Sequence, residues 1–481
     1  MKYRELNSNI LVQRSGAQKI NSGFGILVLL IALVVSYIAI QLLGLAGGFI
    51  VLALPIALSL LSIIWKNPKF GVWGALTMAF LSTGLTRYLP GPWGLSIDIL
   101  LVLSWLVVFL NKDIKVNWKH AKQDIVWLTV IWMGYIVFQA VNPAGNGLIA
   151  WFYAMRGIGF YQFLTVPLVF LLFRKPKDVK QFMNFILLLS LLGTVWGFKQ
   201  QILGVDAAEY NWLYVEDHHE EHILHGVLRV FSYYSDAGAF GASQAMMALV
   251  CGILFMGPFK KITKIKYLLL GLAFFLGFGI SGTRGALMVP LAGGIAYLIL
   301  AKNFKILLAG FSTILIVFCI LKYTFLFQGV EQVRRMRTAL DPNNKSLSVR
   351  LDNQKTFGRY LANKPFGGGV GTAGFWGARF NPESLMANTA TDSWYVKIWA
   401  ETGPVGLMLH LIILGYILGK GGHRIMTMKD SKEKSHAIAF YAALVGVIFA
   451  SYGNQVLGQM PTGPIMNMLI PFIFILTRKP K

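Results

Sequence analysis

Residues 267–301 read YLLLGLAFFLGFGISGTRGALMVPLAGGIAYLILA. Two apolar runs, 267–282 and 285–301, flank a short polar turn, and each run approaches the roughly 20 residues that a helix needs to cross a bilayer. The same pattern recurs on both sides of this pair. We find about fourteen such runs, at 23–43, 46–65, 71–89, 94–110, 124–141, 156–173, 181–203, 238–257, 267–282, 285–301, 306–326, 404–419, 437–455 and 464–477. The pattern predicts an all-α, polytopic transmembrane bundle of about 12–14 helices with a large outer loop that contains short helices.

The composition supports this interpretation. Of 481 residues, 56% are hydrophobic and 13% are charged, whereas soluble domains have about 25% charged residues. The chain is therefore too apolar for a soluble globule or for a disordered protein. The net charge of +24 would suggest nucleic acid as a partner in a soluble protein. Here most of the charge lies between apolar runs, so we expect a bilayer and no nucleic acid as the partner.

The distribution of basic residues predicts the orientation. If the N-terminus is cytoplasmic, every second connection should be rich in Lys and Arg. Seven segments agree, at 66–69, 112–122, 174–180, 260–266, 302–305, 420–434 and 478–481. Both termini are therefore predicted to be cytoplasmic.

Two noncytoplasmic segments are long. Five regions follow from this pattern: N-terminal transmembrane helices (1–203), an outer loop (204–237), central helices with the SGTRGA turn (238–326), a large outer loop (327–403) and C-terminal helices (404–481). Long loops in compact proteins are usually functional, so we expect the chemistry in the two loops.

The first loop holds four histidines, His218, His219, His222 and His225, among acidic residues. His218 and His222 are four residues apart and could share a helical face that binds a metal ion. The spacing matches no standard zinc site, so a solvated acidic loop is the favoured interpretation, and we assign no metal or cofactor. Arg229 follows, either as an interfacial anchor or as a functional cation.

Arg284 lies between two glycines in the outer turn of the quoted segment. A guanidinium held in a nearly dry cleft is suited to phosphate oxygens, although it can equally pair with a neighbouring helix end. Arg350 adds another cation in the large loop. Gly367 and Gly369 belong to a glycine run that either presents backbone N–H groups to an anion or forms a plain turn.

The large loop ends in a short predicted helix from about residue 393, which Gly403 stops. Asp392 is predicted to be either its N-cap or a carboxylate base at the membrane boundary. Glu401 is either a second acid or an acceptor for nearby backbone. The aromatic residues Trp394 and Tyr395, with Phe375 and Trp376, either stack on sugars or anchor the chain at the interface.

Several motifs together resemble the O-antigen ligase and polymerase superfamily, which includes O-antigen ligases, Wzy-type polysaccharide polymerases and oligosaccharide-transferring ligases. They are Arg229-Val230-Phe231 with Gly238-Ala239-Phe240-Gly241, the 281–286 turn, Arg350, Pro365-Phe366-Gly367-Gly368-Gly369, and Ala400-Glu401-Thr402-Gly403 with Gly406. The resemblance covers about residues 200–420. Ligases of this family commonly have a His-Asn pair where this chain has Asp392-Ser393. An acidic residue at this place is more typical of exopolysaccharide-type members and favours polymerisation.

The resemblance implies a bacterial inner-membrane glycosyltransferase that works without a metal at the periplasmic face. Its donor would be a glycan on undecaprenyl diphosphate, and its acceptor a hydroxyl of a second glycan or of a lipid such as the lipopolysaccharide core. Arg229 and Arg284 would neutralise the departing diphosphate, and Asp392 would act as the base. Arg350, Glu401, Gly367, Gly369, Trp394 and Tyr395 would bind substrate.

Two other functions remain open. A transporter or lipid-linked glycan flippase would also be mostly membrane, but such proteins favour charged or broken helices near the midplane. Most candidate charges here lie near helix ends, with His410 the exception. A peptidoglycan-type polymerase shares the many spans and the large outer loop, but its motifs are not recognised.

Overall fold

The computed structural model describes residues 45–224, 226–302 and 345–478, together with isolated positions between 31 and 41 and between 312 and 337. The chain divides into two units, Met1–Asn67 and Pro68–Lys481. In the first unit, helix α1 (Leu45–Lys66) is apolar and contains Pro55. The second unit holds the remaining described helices.

The second unit is an all-α bundle with one two-stranded hairpin. Its α-helices are α2 (Lys69–Leu85), α3 (Leu95–Leu110), α4 (Asp124–Phe138), α5 (Gly147–Met155), α6 (Tyr161–Leu172), α7 (Pro176–Leu203), α8 (Ala207–Tyr210), α9 (His219–His222), α10 (Ala237–Met256), α11 (Lys261–Ser281), α12 (Met288–Ala301), α13 (Lys345–Tyr360), α14 (Gly374–Phe380), α15 (Leu385–Asn388), α16 (Trp394–Met426), α17 (Lys432–Ala450) and α18 (Thr462–Leu476). Strands β1 (Ile223–Leu224) and β2 (Val227–Leu228) pair antiparallel. The predicted fold class is confirmed.

Apolar side chains serve two purposes in this bundle. Inside, aromatic residues interlock between helices: the rings of Phe182 and Phe472 are 4.8 Å apart, and Trp132 is 1% exposed. Outside, α11 exposes Leu269, Leu272 and Phe275. An apolar outer face this extensive is incompatible with water and indicates a lipid surface. Among the described residues, eight helices are long and apolar enough to span a membrane.

Most predicted runs coincide with helices. The two exceptions, 23–43 and 306–326, lie largely outside the described residues. The run predicted to begin at 156 begins instead at Gly147, because a π-helical turn, Arg156–Phe160, joins α5 to α6 without a break. The run predicted to begin at 404 is the second part of α16, whose backbone bends at Gly403.

One end of the second unit gathers the features that matter for function. The start of α10, the turn between α11 and α12, the start of α16 and the segment Ser451–Met460 between α17 and α18 meet there. Trp394 N–H donates to the Ser451 carbonyl at 3.0 Å, and Thr283 Oγ1 donates to the Ala237 carbonyl at 2.7 Å. The first bond joins the start of α16 to the Ser451–Met460 segment, and the second joins the turn to the start of α10.

Candidate active site

The turn after α11 fixes the position of Arg284. Gly282 ends the helix in the left-handed conformation, as is common at helix C-termini. Thr283 follows, 3% exposed, and its bond to the start of α10 anchors the turn. Arg284 then opens a short 3₁₀ turn and is partly exposed. A buried anchor directly before it therefore restrains the direction of its guanidinium.

Arg284 and Arg350 share one site. Their guanidinium groups are close enough to repel each other electrostatically. Arg350 Nε is 3.6 Å from Asp392 Oδ2, with the two side chains 35% and 42% exposed. We define Arg284, Arg350 and Asp392 as the arginine cluster. The cluster brings Arg350 beside Asp392 and within electrostatic range of Arg284, although Arg350 is 66 positions from Arg284 and 42 from Asp392 along the chain. Two cations and one carboxylate leave a net positive charge, and Arg350 and Asp392 are partly exposed to solvent.

Asp392 is not the N-cap of α16. The residue before the helix is Ser393, and no side-chain capping bond is formed there. The alternative prediction of an N-cap is therefore wrong, because the chain enters the helix one residue later. Asp392 precedes the N-cap residue, and its carboxylate contacts Arg350.

The segment Ser451–Met460 borders the cluster and was not predicted to be part of it. Gln455 Nε2 donates to Thr391 Oγ1 at 2.8 Å, next to Asp392 in the chain. Arg350 Nη1 lies 3.9 Å from the position that a Cβ at Gly453 would occupy. The available signal was the polar stretch Ser-Tyr-Gly-Asn-Gln between two strongly apolar runs, which a connecting turn alone does not require.

Asp236 is a second missed residue. It caps α10 by accepting from Ala239 N–H at 2.9 Å, and its other oxygen accepts from Gln459 Nε2 at 2.9 Å. Asn454 Nδ2 lies near both Gly238 and Gly285 and is buried without a hydrogen-bond partner. Asp236 therefore connects the Ser451–Met460 segment to the start of α10, and Asn454 places the same segment against the Arg284 turn.

Arg229 lies in the wall formed by the first outer loop, beside His222. Its N–H donates to the His222 carbonyl at 2.8 Å. His222 is 2% exposed, and burial lowers its pKa to about 4; Asp236 opposes this shift, while Arg87 and Arg229 add to it. Arg229 therefore belongs to the outer-loop wall, where His222 interacts electrostatically with Asp236.

Arg87 stabilises this wall through contacts with its backbone and its aromatic rings. It donates to the carbonyl groups of Ser232 and Tyr234, and its guanidinium lies 4.4 Å from the ring centres of both Trp212 and Phe231. Burial lowers its pKa to about 10, so it remains charged at neutral pH. Arg87 was not identified from the sequence, because a single Arg after an apolar run is typical of an interfacial anchor.

The histidines of the loop surround an indole. The ring centres of His218 and His222 are 4.5 and 4.9 Å from that of Trp212. Among the described residues, no group of three or more His, Cys, Asp or Glu side chains is arranged to hold a metal ion. His225 lies outside the described residues.

The glycine loop and Glu401 form a closed structure. Glu401 is fully buried, and its Oε1 accepts from the N–H groups of Gly371 and Ala373 at 3.2 and 3.3 Å. Gly368 and Gly369 donate to the carbonyl groups of Ala400 and Glu401. These N–H groups therefore already donate hydrogen bonds within the protein, and these contacts do not support the prediction that the loop and Glu401 bind substrate. Glu401 instead accepts hydrogen bonds from the backbone, as the alternative interpretation predicted.

Glycine is required at the centre of this loop. Gly367 and Gly403 have φ values of +74° and +72°, and a Cβ on Gly367 would lie 2.4 Å from Gly403 N. A side chain at either position would be strained and would clash. The two glycines thus let the loop pack directly on the bend of α16. This contact fixes one end of the first part of α16, residues 394–402, and Asp392 lies just before its other end.

The predicted aromatic platform is only partly available. Trp394 is 4% exposed and donates to His410 Nε2 at 3.1 Å, and the Tyr395 hydroxyl donates to the Ile448 carbonyl at 2.7 Å. Trp394 therefore cannot stack on a sugar, because its ring faces are covered, and Tyr395 is fixed against α17. Trp376 and Phe375 line a cavity, described below.

Comparison with known families agrees with the resemblance seen in the sequence. A family model described as O-antigen ligase matches residues 267–411. The match supports the predicted resemblance to the O-antigen ligase and polymerase superfamily over these residues. The matched region contains the whole arginine cluster, the glycine loop and Glu401, but not Arg229. No curated protein matches the chain.

The apolar helices and this match together indicate a multi-pass membrane protein with a region similar to the O-antigen ligase family.

Proposed function

We propose that this protein transfers a glycan from an undecaprenyl-diphosphate carrier to an acceptor hydroxyl, without a metal ion, at the periplasmic face of the bacterial inner membrane. Both termini would be cytoplasmic, as the Lys and Arg distribution predicts. The observation that carries the proposal is the arginine cluster: two repelling guanidinium groups and a carboxylate in one open site at the end of the bundle.

The two arginines match the leaving group. When the bond between sugar C1 and the carrier oxygen breaks, negative charge develops on the diphosphate. Arg284 and Arg350 would stabilise that charge, and their mutual repulsion would be relieved when the anion binds. Removing one preorganised donor of this kind typically costs about 3–4 kcal/mol of transition-state stabilisation.

Arg229 would act on the same diphosphate from the outer-loop wall. Its backbone is fixed to His222, whose low pKa keeps the imidazole neutral and adds no further positive charge at neutral pH. We assign Arg229 to charge stabilisation at longer range than Arg284.

Asp392 would remove the proton from the acceptor hydroxyl. It is solvent-accessible and held by Arg350, so an acceptor can reach it beside the leaving group. A positioned base typically contributes about 10²–10⁴-fold. The proton passes from the acceptor oxygen to Asp392, the acceptor oxygen bonds to sugar C1, and the diphosphate leaves with the bonding pair.

The test uses purified protein with a lipid-diphosphate glycan and an acceptor glycan in EDTA. Formation of a new glycosidic bond, detected by mass spectrometry, is expected. Movement of the glycan across vesicles without a new bond would instead indicate a flippase. In a deletion strain, loss of long chains with retention of single units indicates a polymerase, and accumulation of carrier-linked chains indicates a ligase.

A further inference from the structure

A separate cavity of about 400 Å³ opens beside the same Ser451–Met460 segment. Its lining includes Gly458 and Met460 from that segment and Trp394 from α16. The opposite wall comes from the end of α2 and from the junction between α5 and α6. Ligand pockets in proteins commonly have volumes of about 300–1,000 Å³, so the space fits a small organic group.

The cavity carries the surface chemistry of a sugar site. Trp376 and Tyr153 are stacked with ring centres 4.9 Å apart. Both belong to the lining of the cavity, as does Phe375, which is 70% exposed. Ser82, Thr83 and Thr86 supply hydroxyl groups to the same lining. Aromatic faces beside hydroxyl groups offer a sugar ring both apolar contact and hydrogen bonds.

The charge of the cavity is positive. Arg156 and Lys397 are in the lining, and among the described residues the lining contains no carboxylate. Arg156 is balanced by Asp98 behind the wall, at 2.7 Å. Glu401 attracts Lys397 from one turn further along α16, but its Oε1 is bonded to the backbone of the glycine loop.

Backbone geometry in the wall also points to a built site. Arg156 opens the π-helical turn Arg156–Phe160, and Gly157 and Ile158 of this turn line the cavity. Such turns inside helices occur frequently at functional sites. Lys397 lies in the first turn of α16, where the helix dipole favours an anion.

We propose that this cavity binds a sugar unit that carries an anionic substituent, a carboxylate or a phosphate, with Lys397 as the charge partner and Trp376 as the stacking surface. This inference rests on the proposed function, because the cavity and the arginine cluster border the same Ser451–Met460 segment and a second glycan unit would bind in the cavity. It makes Lys397 a specificity-determining residue that takes no part in bond formation.

Equilibrium binding to the full-length protein in neutral phosphatidylcholine nanodiscs tests the proposal. The probes are cellobiose, its 6-carboxylate and its 6-phosphate, and tryptophan fluorescence or calorimetry gives the dissociation constants. At least about tenfold tighter binding of an anionic probe is expected, because a single ion pair in a partly buried site supplies that much. The two anionic probes show whether the substituent is a carboxylate or a phosphate.

Variants locate the binding. Lys397→Gln should abolish the preference, Lys397→Arg should retain it, and Lys261→Gln, at an exposed position at the start of α11, should leave it unchanged. Trp376→Ala should weaken all three probes by a similar factor. Because binding needs no donor and no turnover, the result is independent of whether the transfer reaction itself is confirmed.

Three results would overturn the proposal: equal affinity for the neutral and anionic probes, no binding of any probe to the wild type, or an unchanged preference in Lys397→Gln. Should a variant fold poorly, protection of Lys397 from amine labelling by the anionic probe, compared with cellobiose, decides the matter in the wild type. If phosphatidylglycerol protects Lys397 and no probe does, the cavity is a lipid headgroup site and the proposal fails.

Discussion

Asp392 of the arginine cluster and the glycine loop lie at the two ends of the first part of α16, residues 394–402, before its bend at Gly403. The two regions differ in what their polar groups contact. Arg350 and Asp392 are more than one-third exposed and contact each other at 3.6 Å, whereas Glu401 is fully buried and holds two backbone N–H groups. Both regions were predicted to bind substrate. The first is open to solvent and the second is buried, so we assign substrate contact to the first and a positioning role to the second.

The largest effect on turnover is expected at Asp392. Asp392→Asn keeps the size of the side chain and removes the base, so turnover should fall by about 10²–10⁴-fold with little change in the thermal midpoint. Transfer of a labelled glycan by the purified variant measures this loss. Asp352→Asn, at an exposed position on α13, is the matched control and should behave as the wild type. Normal turnover of Asp392→Asn would remove Asp392 from the mechanism.

At Glu401 the expected effect is on stability. Glu401→Ala leaves the N–H groups of Gly371 and Ala373 buried without an acceptor, which should lower the free energy of unfolding by about 2–6 kcal/mol, at about 1–3 kcal/mol for each donor. Glu401→Gln retains an acceptor oxygen and should lose less. Thermal unfolding in detergent compares the two variants. A stable but inactive Glu401→Gln would indicate a chemical role and contradict the assignment of Glu401 to structure.

His222 should make the wall beside Arg229 sensitive to acid. Its pKa is about 4 in the folded protein, against 6.5 for the ordinary group. Between these values the unfolded chain binds the extra proton, so stability is complete above pH 6.5 and is lost as the pH falls toward 4. The loss amounts to at most about 3.5 kcal/mol, at about 1.4 kcal/mol for each pKa unit.

The measurement compares the thermal midpoint of the wild type with that of His222→Phe across this pH range. Carboxylates titrate in both proteins, so the difference between the two curves isolates His222. As the pH falls, the thermal midpoint of the wild type should fall relative to that of His222→Phe. Parallel curves would show that His222 does not carry the proton.

A smaller effect is expected at Arg350. Arg350→Gln removes one of two cations and the partner of Asp392, while Arg284 remains, so turnover should fall by about 10²-fold, at the lower end of the loss expected for one preorganised donor. Arg359→Gln, on the same helix and exposed, should have no effect. A loss in Arg350→Gln as large as that in Asp392→Asn would mean that Arg350, rather than Arg284, is the principal cation.

The bundle could be predicted from the sequence because membrane helices follow a local rule: a long apolar run forms a helix whatever surrounds it. The site could be predicted only in part. Arg284, Arg350 and Asp392 carried motifs, but Asp236, Asn454 and Gln459 did not, and they take part only because separate helix ends meet in space. The sequence could not show how the glycine loop is bonded, because a run of glycines is the same in sequence whether its N–H groups are free or already bonded, as they are here to Ala400 and Glu401.

Turnover by Arg284 variants tests the central claim most directly. With a lipid-diphosphate glycan, an acceptor and EDTA, Arg284→Ala should lose about 10²–10³-fold in turnover while its thermal midpoint stays close to that of the wild type, and Arg284→Lys should recover part of the activity because the charge is kept. Turnover by Arg284→Ala at the wild-type rate would contradict the account.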